Sequence, residues 1–144
     1  MKRHIIGLLL AVVALTACDI EHSDNGHLDG YWKLTQMDTL ASSQSADMTE
    51  SSVFWAVQHH LLEIKKLDDI EKNVFFRFEH SDATLRIYNP ISDNKAISDS
   101  VVTDPATLRI FGIQHLDETL AVEQLNSSQM VLRNDLYRFH FRKY

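Results

Sequence analysis

The chain is poor in the residue types on which many small domains and enzymes depend. Its 144 residues include one cysteine, two prolines and four glycines. A single cysteine excludes an internal disulfide, and four scattered glycines leave no phosphate-binding loop and no Gly-x-Ser-x-Gly motif. Basic residues are also scarce, at 14 against 20 acidic residues. Because an acidic chain without a basic stripe is repelled by phosphate backbones, nucleic-acid binding is disfavoured.

Long apolar runs are absent except near the start of the chain. Residues 5–15 form a near-unbroken apolar run that follows Lys2, Arg3 and His4. Such a run is too short for a permanent transmembrane helix, and its positive start is typical of a signal peptide. We therefore interpret this part of the chain as a targeting signal that does not belong to the folded domain.

The single cysteine directly follows this run. Leu15-Thr16-Ala17-Cys18 resembles the lipobox of bacterial lipoproteins. The resemblance implies that residues 1–17 are a lipoprotein signal peptide and that Cys18 is lipidated and becomes the first residue. The alternative is that Cys18 is an ordinary small residue in a signal peptide cut elsewhere. Several acyl chains hold a protein almost permanently, so we expect anchoring to a membrane without spanning it.

Cleavage before Cys18 leaves 127 residues, enough for one domain. It removes two basic and no acidic residues, so the net charge becomes −8. The polar residues 18–29 are predicted to be a lipidated flexible tether, and residues 30–144 the domain. In some Gram-negative bacteria, an Asp directly after the lipidated cysteine, as Asp19 is here, retains a lipoprotein in the inner membrane. In other lineages, acidic residues just after the cysteine, here Asp19, Glu21 and Asp24, favour export to the cell surface. Within the bacterial cell envelope we favour the outer membrane or cell surface.

Period-2 alternation in the domain predicts half-buried strands. It is clearest in the last strand, where Tyr137, Phe139 and Phe141 alternate with polar residues. Asn and Asp residues in the short breaks between runs favour hairpin turns. The predicted strands are residues 30–37, 73–79, 83–88, 119–125, 129–133 and 136–143, with one weak strand at 100–103.

Two segments do not alternate in this way. Residues 53–67 have helical spacing, and periodicity alone predicts a helix there. Residues 104–112 predict a short helix near 105–111. Asp104 is at its N-cap, Pro105 is at its first position, and Gly112 comes just after its end. Residues 40–52 and most of 89–103 are predicted to be polar loops.

The start of the first strand adds a family resemblance. Gly30-x-Trp32 resembles the Gly-x-Trp start of lipocalin-type barrels, in which the tryptophan packs across the closed end. An arginine from the last strand covers the tryptophan in that family. The resemblance therefore implies that Arg138, Arg142 or both cover Trp32.

The wider pattern resembles the lipocalin-like lipoproteins of Gram-negative gut anaerobes, with matches at residues 31–34, 54–64 and 141–144. This resemblance implies an all-β fold, an antiparallel up-and-down meander closing into a small eight-stranded barrel. It also changes the prediction for residues 54–66 from helix to one long strand. The short chain has enough bulky apolar residues to fill such a barrel unaided. The predicted inward set is Trp32, Leu34, Phe76, Phe78, Leu85, Ile87, Leu120, Val122, Met130, Leu132, Tyr137, Phe139 and Phe141.

No constellation in the sequence predicts catalysis, a metal or a cofactor. Neighbours on a strand point to opposite faces, so His59 and His60 are not expected to share an ion. Acidic pairs such as Asp68-Asp69 and Asp117-Glu118 are expected to be solvated turn residues. Acylation of Cys18 removes the only cysteine nucleophile, so we expect no enzyme activity.

Two functions from different classes are consistent with these observations. The first is a membrane-anchored binder of a small apolar or amphipathic ligand in the barrel mouth, rimmed by residues 40–52 and 89–107 and by the short helix. The second is an interaction module with a filled barrel that presents its loops to an envelope protein or glycan. An enclosed apolar cavity would favour the first, and a solid interior would favour the second.

Overall fold

A computed structural model describes residues 23–93 and 99–144. The predicted signal peptide, Cys18 and residues 18–22 of the predicted tether lie outside the described residues. No helix in the described part is long and apolar enough to cross a bilayer.

Eight antiparallel strands close into a barrel, as the sequence predicts, and two further strands extend from it. The last strand pairs with the first, from Trp32 opposite Lys143 to Thr39 opposite Tyr137, and this pairing closes the sheet. Around the barrel the order is β10-β9-β8-β6-β5-β4-β3-β1, while β2 pairs with β1 and β7 with β6. The strands are β1 Gly30–Thr39, β2 Gln44–Asp47, β3 Val53–Gln58, β4 Leu61–Lys66, β5 Val74–His80, β6 Thr84–Ser92, β7 Ser100–Val101, β8 Glu118–Leu125, β9 Gln129–Arg133 and β10 Tyr137–Lys143.

The segment that the sequence left ambiguous is a hairpin. Both predictions for residues 53–67, the helix and the single long strand, are wrong, because the chain reverses at His59 and His60. His59 has a φ of 53°, which allows β3 and β4 to pair directly from Gln58 opposite Leu61. The two histidines therefore lie in a tight turn and not on opposite faces of a strand.

The predicted loops contain short strands. Residues 40–52 include β2, whose side chains are exposed. β2 pairs with residues 36–39 of β1. β6 continues to Ser92, beyond the predicted end of that strand, and it pairs with β7. β2 and β7 are exposed on both faces, so hydrophobic alternation gives no signal for them and the sequence predicts polar loops there.

Part of the predicted flexible tether is docked on the barrel. Residues 26–28 form a 3-10 turn, and Leu28 is buried. The Ser23 hydroxyl accepts a hydrogen bond from the backbone N–H of His59 at 2.7 Å, and the Asn25 amide donates to the His59 carbonyl at 2.8 Å. The prediction of a tether is therefore wrong for residues 23–29, which belong to the folded domain.

The short helix near 105–111 is confirmed as a 3-10 helix, Pro105–Phe111, called the mouth helix here. The Asp104 carboxylate caps it by accepting from the N–H of Ala106 at 2.9 Å. Gly112 ends it with a φ of 78°. A 3-10 helix, Ile70–Lys72, also precedes β5.

Candidate functional site

Side chains fill the interior of the barrel. The predicted inward residues all belong to the hydrophobic core or pack against it. The sequence missed several other core residues, which lie in the β3–β4 hairpin, at the start of β5 and at the two barrel ends. They are Leu28, Val53, Trp55, Val57, Leu62, Ile64, Val74, Leu108, Phe111 and Ile113. With two tryptophans and several phenylalanines inside, an eight-stranded barrel has its space taken by its own side chains.

One barrel end is closed around Trp32. Its ring is fully buried, and its indole N–H donates to the Leu28 carbonyl at 2.8 Å. The Lys143 ammonium lies 4.7 Å from the ring centre and also donates to the His27 carbonyl at 3.0 Å. Gly30 lies beneath the same lysine, where a Cβ would be 3.3 Å from its Cε.

The prediction of an arginine over Trp32 is wrong, because the covering cation is Lys143. Alternation along β10 explains the difference. Phe139, Phe141 and Lys143 share the inward face, so Arg138 and Arg142 point outward. Arg138 bonds the Glu123 carboxylate at 3.1 Å, and Arg142 lies opposite Lys33 on β1. Extending the predicted alternation by one step would have identified Lys143.

The mouth helix closes the other end. Its Leu108 and Phe111 are buried in the core, as is Ile113 just beyond it. At Gly112 a Cβ would lie 2.6 Å from Met37 Cε and 2.8 Å from Phe139 Cε1, so only glycine fits there without displacement. The segment expected to rim a ligand cavity therefore plugs it.

A buried carboxyl joins the mouth helix to the β9–β10 turn. Glu118 is only 5% exposed, and its two oxygens accept from the N–H of Gln114 at 3.0 Å and the Asn134 amide at 3.3 Å. Asn134 also donates to the Gly112 carbonyl and accepts from the backbone N–H of Tyr137 at 2.8 Å. Burial raises the pKa of Glu118, because desolvation opposes the charged form more than these bonds favour it. The expectation that Glu118 is a solvated turn residue is wrong.

Two of the cavities formed by the described residues lie at the mouth, outside the packed interior. The first has a volume of about 450 Å³, and Glu118 is part of its lining. Its lining residues are Arg109, Gln114, His115, Asp117, Glu118, Thr119, Asn134, Asp135 and Leu136. The second is a groove of about 490 Å³ between the mouth helix and β7, where Val74, Val101, Val102 and Ile110 supply apolar surface. The structure therefore places open grooves at the mouth but fills the barrel beneath them.

Residues 13–144 match the family model described as a lipocalin-like domain. The chain belongs to the lipocalin-like domain family. The lipocalin-like part of the predicted resemblance is thereby confirmed. Its lipoprotein part stays a prediction.

Two solved structures share the fold of this lipocalin-like domain. A lipocalin-like protein from Bacteroides uniformis is 23% identical, with a TM-score of 0.62 over 83% of this chain and 100% of its own. An uncharacterized protein from Bacteroides eggerthii is 18% identical, with a TM-score of 0.54 over 81% of this chain and 98% of its own. No curated protein matches the chain significantly. Lipocalin-like folds are generally those of non-enzymatic binding proteins, and such a barrel fits ligand binding.

Histidines of the lipocalin-like domain are dispersed over its surface. Among residues 23–93 and 99–144, no three His, Cys, Asp or Glu side chains are grouped so that they could hold a metal ion. His140 contacts the Asp38 carboxylate at 2.7 Å. Hydrogen bonds from Ser45, Gln36 and His140 lower the pKa of Asp38 to about 2. This contact joins β1 to β10 where the barrel closes.

Proposed function

We propose that this lipocalin-like domain is a lipid-anchored, non-enzymatic lipoprotein of the bacterial envelope that binds its partner through its outer surface. The filled interior carries this proposal. An apolar ligand inside the barrel would have to displace buried rings such as Trp55 and Phe139, which contact each other at 6.1 Å between centroids. Displacing close-packed aromatic side chains is far less favourable than binding outside.

The lipid anchor is supported by the order of features at the start of the chain. A positive start, an apolar run and Leu-Thr-Ala before Cys18 are what a lipoprotein signal requires. In the folded part, Ser23 and Asn25 bond the β3–β4 turn, so the chain leaves the barrel at its closed end. The proposed membrane therefore lies nearest that end.

A second candidate function places a small apolar or amphipathic ligand in the groove at the mouth. The apolar lining beside the mouth helix favours it, since concave apolar surfaces with a few polar groups are typical of ligand sites. Binding there would leave the packed interior intact.

Mass spectrometry of the complete protein tests both parts of the proposal. The protein is isolated gently from its producing bacterium and measured first in native and then in denaturing conditions. The denatured mass should equal residues 18–144 plus the acyl groups on Cys18. The native mass should include no small-molecule ligand beyond the denatured mass. A larger native mass would instead show a non-covalent ligand, and an unacylated chain would overturn the anchor.

Single substitutions then locate any such ligand. Val101→Glu or Ile110→Glu places a charge in the exposed groove and should abolish groove binding without unfolding the domain. Leu120→Val alters the packed interior only slightly. Loss of the extra mass in the groove variants but not in the Leu120→Val control would establish the second candidate, whereas an extra mass that persists in both groove variants would place the ligand outside this groove.

A further inference from the structure

One outer face of the barrel combines aromatic and basic side chains. The basic–aromatic face is defined here as Tyr31, Lys33, Phe54, Arg142 and Tyr144, on β1, β3 and the end of the chain. The Phe54 ring lies 5.9 Å from the Tyr31 ring and 5.5 Å from the Tyr144 ring, and the Lys33 ammonium lies 5.3 Å from the Phe54 centre. Tyr144 is 81% exposed and Tyr31 is 39% exposed. The two tyrosines therefore present wet, amphipathic rings beside two cations.

The two cations of this face lie directly opposite each other. Lys33 pairs with Arg142 in the β1–β10 register, and like charges opposite each other on neighbouring strands are destabilising. Within the described residues neither forms an ion pair. On the opposite side of the barrel, by contrast, Arg86 forms ion pairs with Asp117 and Glu79. An anionic partner on the basic–aromatic face would offset the repulsion that the fold leaves there.

The same face lies beside the point where the chain leaves the barrel. Ser23 is fixed to the β3–β4 turn at His59, and Tyr31 pairs with Ala56 only three residues before that turn. Ser23 is the fifth residue after Cys18, and an extended chain spans at most about 3.6 Å per residue, or roughly 18 Å over this distance. A lipid on Cys18 would therefore hold the basic–aromatic face within reach of the membrane surface.

We propose that the basic–aromatic face rests on anionic lipid headgroups, so that the barrel lies on its β1–β10 side above its own anchor. The phosphate groups would neutralise Lys33 and Arg142, and the tyrosines would sit at the headgroup level that amphipathic aromatic side chains prefer. The nearby Lys65 is already bonded to Glu63 at 2.9 Å and adds little net charge. This inference rests on the lipid anchor proposed above. It leaves the mouth and the opposite wall facing away for a partner.

Contact quenching in vesicles tests the orientation. The complete lipidated protein is placed in vesicles of phosphatidylcholine with or without phosphatidylglycerol, containing a lipid whose headgroup carries a short-range quencher. Because Cys18 is the only cysteine and its sulfur is acylated, an introduced cysteine is the only thiol that can take a fluorophore. Gln58→Cys lies on the side of the basic–aromatic face, and Thr84→Cys lies across the barrel on β6. Both positions are exposed and lie at the anchored end.

We expect stronger quenching at position 58 than at position 84 in anionic vesicles, and a smaller difference in neutral vesicles. Each basic residue near an anionic surface contributes roughly fivefold, so Lys33→Gln with Arg142→Gln should lower the face-down population ratio about 30-fold. These changes remove a repulsion and should leave the fold intact. The matched control, Arg77→Gln with Arg109→Gln, removes the same charge from exposed sites elsewhere and should leave the quenching unchanged.

Each opposite result has a distinct meaning. Equal quenching at the two positions, stronger quenching at position 84, or an unchanged difference in the Lys33/Arg142 variant would overturn the orientation while leaving the anchor in place. Failure of the protein to float with the vesicles would overturn the anchor and, with it, the orientation.

Discussion

Trp32 and Glu118 occupy opposite ends of the barrel, and each is enclosed by one neighbour that is four residues away in sequence and one that is more distant. Trp32 is enclosed by Leu28 and Lys143, and Glu118 by Gln114 and Asn134. Both side chains are buried, but burial removes mostly apolar surface of Trp32 from water, whereas it removes an ionisable carboxyl group of Glu118 from water. They therefore affect stability in different ways.

Trp32→Ala should lower the free energy of unfolding by about 3–5 kcal/mol, because it leaves a large cavity in the closed end. Chemical denaturation monitored by circular dichroism measures the loss. Tyr144→Ala, which removes an exposed aromatic ring, should lose less than about 1 kcal/mol. A comparably small loss for Trp32→Ala would show that the ring does not close the barrel.

Glu118 should give the stability a specific pH dependence. Burial raises its pKa above the ordinary value of 4.5, so the folded state holds this proton to a higher pH than the unfolded chain does. Its contribution is therefore fully present below pH 4.5 and is lost as the pH rises through the raised pKa. Glu118→Gln is neutral throughout. The stability of the natural chain relative to this variant should fall as the pH rises from 4.5 toward neutrality.

Urea denaturation at a series of pH values measures this difference. Asp117→Asn is the control, because hydrogen bonding to Arg86 lowers the pKa of the exposed Asp117. Its contribution is present above pH 3.8 and is lost at lower pH, so it should stay constant over the range in which Glu118 titrates. A relative stability of the Glu118 variant that does not change with pH would contradict burial of the carboxyl.

At the scale of elements, the mouth helix and the β3–β4 hairpin show the two ways in which local sequence relates to structure here. Asp104, Pro105 and Gly112 are strong local signals, and the helix that they predict is confirmed. Residues 53–67 carry no Gly, Pro, Asn or Asp at their reversal, so nothing in the sequence marked the turn at His59. Pairing with β1 and β5 imposes that turn.

The C-terminal glycine of the mouth helix should tolerate alanine poorly. Gly112→Ala combines a left-handed backbone with overlap against Met37 and Phe139, and such overpacking costs about 1–3 kcal/mol. Gly26→Ala has a similar φ of 62° but no heavy atom within 4 Å of the added Cβ, so it shows the backbone effect alone. Thermal or urea unfolding of both variants gives the comparison. Equal losses would argue against tight packing at the mouth.

At the scale of the whole molecule, the filled barrel and the proposed lipid anchor have separate roles. The fold supplies a rigid surface, and the anchor sets where that surface acts. Close packing around Trp55 and Phe139 is the reason that the proposed binding surface is the exterior.

Cys18→Ala should separate these contributions. Once the signal peptide is cut, the variant should leave the membrane fraction, because no acyl chain can be attached, while its circular dichroism and unfolding midpoint match those of the natural domain. Fractionation followed by immunoblotting measures the distribution. Retention of the cleaved variant in the membrane fraction would be incompatible with an anchor at Cys18.

Local patterns in the sequence determined the all-β class, most strand positions, the mouth helix and the inward set from Trp32 to Phe141, because alternation and capping act over a few residues. Tertiary structure alone decided the hairpin at His59, the burial of Glu118 and the docking of residues 23–29. Each of these depends on which strands become neighbours, since barrel closure brings together groups separated by up to 116 residues. Whether the barrel is hollow or filled is decided by the same closure, through the volume that it encloses.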